Sequence, residues 1–91
     1  MSESLSKRAD EKFPIELEYP ATDVTEQDAI TEVDVTVTPE GLDINYEPIV
    51  EGRVVKQMIA GGTAGVDYVV TVKTTTTLGN IFIEYIVVKV M

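Results

Sequence analysis

From residue 13 onward, apolar and polar positions mostly alternate with a period of two, the spacing of a strand with one wet face. Phe13, Ile15, Leu17 and Tyr19 alternate with Pro14, Glu16 and Glu18 and predict a first strand over Phe13 to Tyr19. Pro14 lacks a backbone donor, so it belongs at a strand start or on a sheet edge. Ile30 to Thr38 gives the cleanest pattern, with Val33, Val35 and Val37 against Glu32, Asp34, Thr36 and Thr38. Pro39-Glu40-Gly41 is a turn, followed by a short strand through Leu42, Ile44 and Tyr46. Ile49-Val50 predicts a brief strand, and Val54 to Ala60 a longer one. Val66 to Thr75 follows the Gly61-Gly62-Thr63-Ala64-Gly65 loop, and Asn80 to Val90 is the last strand. The loop reads as a hairpin connection in which Gly supplies positive φ. Between the first two strands the acidic stretch 21–29 is turn-rich, with one helical turn foreseeable near Thr25 to Ala29. About seven short strands with turn signals between them predict an all-β, antiparallel β-sandwich over residues 13–91.

Two regions depart from this rhythm. Residues 1–12 are almost wholly polar, with Leu5 the one sizeable apolar side chain after Met1. Such a segment buries too little surface to order itself, so it is expected as a flexible N-terminal arm that orders when a partner covers it. The final strand is apolar on both faces: Ile81, Ile83, Tyr85 and Val87 on one, Phe82, Ile86, Val88 and Val90 on the other. A strand in a two-layer sandwich needs only one apolar face. The second face calls for a cover, either the arm or a loop, or a subunit interface with Phe82, Ile86 and Val88 against a neighbour.

Composition narrows the chemistry. The chain of 91 residues has no Cys, His or Trp and a formal net charge of −9. Without Cys there is no disulfide framework and no thiolate nucleophile or ligand. Without His, imidazole-based catalysis and imidazole metal sites are closed. The acidity disfavours nucleic acid and anionic membranes as partners. The longest apolar run is too short for a membrane-spanning helix, and the polar start does not read as a signal peptide. Charge is also lopsided. Residues 1–51 hold 14 acids against Lys7, Arg8 and Lys12, whereas residues 52–91 hold Asp67 and Glu84 against Arg53, Lys56, Lys73 and Lys89. That asymmetry fits either a solvated acidic face or docking between unlike faces.

Carboxylate pairs are the remaining catalytic currency. Glu16 with Glu18, and Glu32 with Asp34, would stand about 7 Å apart on a strand face. Both pairs alternate with the apolar face and should be wet, whereas acid–base catalysis needs one carboxyl raised in a dry cleft. Asp23, Glu26 and Asp28 offer oxygens of the kind calcium takes, yet they lack the spacing of a dedicated loop and read first as solvated acids. The glycine-rich loop lacks the lysine and following helix of a phosphate cradle. No catalytic residue, metal ligand, cofactor or small-molecule substrate is therefore expected.

The run Met58-Ile59-Ala60-Gly61-Gly62-Thr63-Ala64-Gly65-Val66-Asp67-Tyr68-Val69-Val70-Thr71-Val72, then Thr74-Thr75 and a terminal apolar strand, resembles a family of short tailed-phage virion proteins. The outline over Asp10 to Tyr19 and Val33 to Leu42 is similar too, so the likeness covers most of residues 10–91. The resemblance implies an immunoglobulin-like sandwich in the virion, assembled in the host cytoplasm, serving as a fibre–tail adaptor or head–tail component. It implies other virion proteins as partners, homo-oligomers, and no enzymatic activity. Two other roles remain open on the sequence: a capsid decoration protein, and a carbohydrate-binding β-module built on Tyr19, Tyr46, Tyr68 and Tyr85.

Overall fold

A computed structural model describes residues 2–91, with side chains from Ser4 onward. Eight strands follow one another: β1 Ser2–Lys7, β2 Lys12–Glu18, β3 Ile30–Thr38, β4 Leu42–Asp43, β5 Ile49–Glu51, β6 Val54–Gly61, β7 Asp67–Thr76 and β8 Ile81–Val90. They form two sheets, and no helix occurs among the described residues, including the stretch 25–29. The first sheet runs β1-β8-β7-β3 and the second β2-β6-β4, with β5 also on β6. All pairings are antiparallel except β1 on β8, which is parallel. The molecule is a slab measuring 43 × 21 × 17 Å.

The period-two pattern sorts the side chains between the sheets. Ile15, Val55 and Ile59 from the second sheet meet Tyr68, Val70, Val72, Ile86, Val88 and Val90 from the first. Thr74 and Thr76 continue the buried row of β7. Tyr19 crosses from one sheet to the other, sharing a hydrogen bond of 2.9 Å between its hydroxyl and Thr74 Oγ1. Its ring lies 5.5 Å from that of Phe82. Burial raises the Tyr19 phenol above its ordinary value, with Glu84 and Asp23 adding to the shift against the Thr74 bond.

The segment expected as a flexible arm is instead an edge strand. β8 leaves its Tyr85–Val90 backbone open on one side, and Ser2–Lys7 fills it in register. Leu5 packs against the core. Lys7 is 1% exposed, and its ammonium donates to the carbonyls of Arg8 and Gly61, each at 2.7 Å. The bond to Gly61 ties the first sheet to the second. Met91 N donates to Lys7 O at 2.8 Å and clamps the chain end to the same strand. Ladder hydrogen bonds and one buried cation order this segment, neither of which depends on apolar content.

The loop 61–65 differs from a hairpin as well. It leaves β6 in the second sheet and enters β7 in the first, so it is a corner between layers. Gly61, Gly62 and Gly65 do take positive φ, at 68°, 97° and 86°. A Cβ on Gly62 would stand 2.8 Å from Val90 Cγ2. Thr63 N donates to the Tyr68 hydroxyl at 2.9 Å, and Gly65 N donates to Val90 O at 2.7 Å. The distinctive G-G-T-A-G-x-x-Y string is thus a latch that turns the chain between layers.

Candidate docking surfaces

The residues named for an interface, Phe82, Ile86 and Val88, lie on the inner face of β8. Ile86 and Val88 are 1% and 0% exposed, and Phe82 packs against the core beside Tyr19. The strand is indeed apolar on both sides, but the sandwich interior takes this side and leaves the other in solvent. The outward row is Ile81, Ile83, Tyr85 and Val87, the first three 55%, 46% and 47% exposed. The pairing register sets Thr75, Lys73, Thr71 and Val69 of β7 beside them, with Val69 itself exposed. A shallow trough runs here between Asp34, Thr36, Thr71, Lys73, Ile83 and Tyr85, with Asp34 of β3 opposite Lys73. Sequence periodicity identified the two rows; it could not say which faces the second sheet, because both are equally apolar.

The outer face of the second sheet holds another trough, lined by Pro14, Tyr46, Ile49, Lys56 and Met58. Lys12 stands 4.5 Å from the centre of the Tyr46 ring. Lys56 lies 3.6 Å from Glu16 and 3.3 Å from Glu51, and this pairing raises its pKa. Beneath this surface Gln57 is buried, and its amide donates to the carbonyls of Ile44, Tyr46 and Met58 at 3.2, 3.0 and 2.9 Å. It supports the connection between β4 and β5, where no ladder runs; the short strand foreseen through Tyr46 ends at Asp43, whose Oδ1 accepts from Asn45 N at 3.0 Å.

The acids of the first half do different work from any ligand set. Asp28 Oδ1 accepts from Ala29 N at 2.9 Å and from Leu78 N at 3.0 Å, while Asn80 Nδ2 donates to Oδ2 at 3.2 Å. Partial dehydration pushes its carboxyl up, but the donations from Thr76, Leu78, Ala29 and Asn80 outweigh it and hold the group below its usual value. Asp28 therefore fastens the β7–β8 turn to the β2–β3 loop, and its oxygens are occupied. Asp23 faces another depression, beside Tyr19 and Glu84. Among the described residues no group of three acidic side chains is placed to hold a metal ion. Glu16 and Glu18, like Glu32 and Asp34, stand exposed on outer faces. Tyr19 and Tyr68 belong to the core, leaving Tyr46 and Tyr85 on opposite faces, so the four tyrosines form no shared platform.

What the fold presents is a two-sheet β module with two apolar-centred outer faces. Over residues 7–89 the chain matches the family described as podophage GP4 fiber-tail adaptor protein gp77, and it belongs to that family. No curated protein matches it in sequence.

Proposed function

We propose that this chain is a non-enzymatic structural component of a phage virion that joins fibre to tail through protein–protein contacts. The observation that carries the reading is the family match, which runs from the end of β1 to the penultimate residue of β8 and so takes in both sheets. The physical arrangement supports it. A joint must transmit load without bending, and two sheets locked by Tyr19–Thr74, Lys7–Gly61 and the Tyr68 latch give a stiff body. It must also offer more than one contact face, and the two outer faces carry exposed apolar side chains. The module is immunoglobulin-like on this reading. In support, β3-β7-β8 and β2-β6-β4 divide as the CFG and BED strands do. Tyr68, at the start of the penultimate strand, receives a backbone hydrogen bond from Thr63 upstream, as the tyrosine corner does.

The test is a phage with this gene interrupted. The expected particles have filled heads and tails but no fibres, and adding the purified chain restores fibre attachment. Particles that keep their fibres, including fibre-bearing particles with fragile capsids, would overturn the reading.

A further inference from the structure

The edges of the two sheets are unequal templates for a further strand. β2 carries Pro14, which has no backbone donor, and β4 and β5 run for only 2 and 3 residues. β1 has Leu5 alone to set against a neighbour's apolar row. β3 is a full 9 residues without Pro, Gly or Lys, and among the described residues no strand pairs with it on the side away from β7. The ladders fix which of its backbone groups are open. Val90 N donates to Val66 O at 3.1 Å, so Tyr68, Val70 and Val72 turn their backbone groups to β8, and Val69, Thr71 and Lys73 turn theirs to β3. Thr38, Thr36 and Asp34 therefore bond to β7, and the N–H and C=O of Val33, Val35 and Val37 point to the open edge. The side chains alternate in the same way. Val33, Val35 and Val37 are half-buried against the core, whereas Val70, Val72 and Thr74 beside them on β7 are sealed. On the outer face Glu32 and Asp34 are exposed, Asp34 across from Lys73 and Glu32 across from Thr75. A strand added to β3 meets these two carboxylates on the adjacent strand at about 5 Å, with Lys73 one strand further back at about 10 Å.

We propose that the open edge of β3 takes an antiparallel strand from a partner protein, β-branched or apolar toward the core and Lys- or Arg-bearing toward solvent. The incoming backbone satisfies the open groups of Val33, Val35 and Val37, and its apolar row closes over those half-buried side chains. Its cations face Glu32 and Asp34 at the non-hydrogen-bonded positions, where cross-strand side chains approach most closely and opposite charges stabilise the pair. A second copy of β3 is the wrong occupant. It brings four carboxylates to one face with no cation on either edge strand, and like charges across a strand pair are destabilising. The same two acids thus discourage pairing between copies and favour a basic strand. The net charge of −9 favours a basic partner at longer range too. This goes beyond the adaptor reading and does not rest on it. A chain found in particles whose β3 edge takes no strand would remove only the edge contact, and a chain that takes the strand but is absent from particles would remove only the adaptor.

The experiment is residue-resolved amide hydrogen exchange on the full chain with two synthetic peptides, one alternating valine with lysine and one alternating valine with glutamate, each at about 1 mM. In the free chain the amides of Val33, Val35 and Val37 are expected to exchange fast, and those of Asp34 and Thr36, bonded to β7, slowly. The lysine peptide is expected to slow the three valine amides by roughly tenfold or more, and the glutamate peptide to leave them unchanged. Glu32→Lys with Asp34→Lys changes two exposed side chains outside the core, so the variant keeps its fold, and it is expected to reverse the preference between the peptides. Equal slowing by both peptides, no slowing by either, or binding of the lysine peptide without protection of these three amides would each overturn the proposal. So would protection of the same amides that rises with the concentration of the chain alone, since that assigns the edge to a second copy. An unchanged preference in the double lysine variant would refute the charge pairing.

Discussion

At the scale of single residues, the fold is held by a few side chains whose roles are set by geometry. Gly62 combines φ of 97° with a Cβ position already claimed by Val90. Gly62→Ala should therefore cost about 1–3 kcal/mol, measured by urea denaturation. Tyr68→Phe leaves Thr63 N without its acceptor and should cost about 1 kcal/mol. Acid and alkali act through two other residues. Asp28 has its folded pKa lowered, so its contribution is present above the usual carboxylate value near 4 and is lost as pH falls through the folded value. Tyr19 has its folded pKa raised, so its contribution is present below about 10 and is lost as pH climbs through the higher folded value. Thermal melts from pH 2 to 11 should show a plateau with two falling limbs. Asp28→Asn should flatten the acid limb and Tyr19→Phe the alkaline one. The Gly-rich string was legible in the sequence as a turn. Its partner Val90 was not, because a contact across 28 positions leaves no local mark.

At the scale of elements, sequence periodicity located β3 and β8 closely and β2, β6 and β7 to within a residue or two at each end. It missed β1 for a physical reason. Alternation and apolar content report burial of side chains, whereas β1 is ordered mainly by its ladder to β8 and by the buried Lys7 ammonium. Lys7→Ala leaves the Gly61 carbonyl without that donor and should cost about 1–3 kcal/mol. Hydrogen exchange gives a sharper test. A chain lacking residues 1–7 should lose protection at those β8 amides between Tyr85 and Val90 that face β1, while those bonded to β7 keep it. The two faces of β8 respond differently to charge. Val88→Asp buries a carboxylate between the sheets and should abolish folding. Ile83→Asp stands in solvent on the isolated chain and should change stability by about 1 kcal/mol or less. Equal damage from both would contradict the assignment of inner and outer rows.

At the scale of the whole molecule, the slab presents one apolar-centred outer face on each sheet, with the core latched between them. Of the acids in the first half, Glu16 and Glu18 ride on β2, Glu51 on β5, and Glu32 and Asp34 on β3 beside β7, so the outer faces of both sheets carry them. Which row of β8 faces outward was not readable from the sequence, since choosing between its sides required the second sheet. The joining role is tested most directly by chemical cross-linking of purified phage particles with mass-spectrometric mapping. The account predicts cross-links from this chain to both a tail protein and a fibre protein, with few or none to the capsid. Cross-links confined to capsid shell proteins, or a chain absent from the particles altogether, would contradict it.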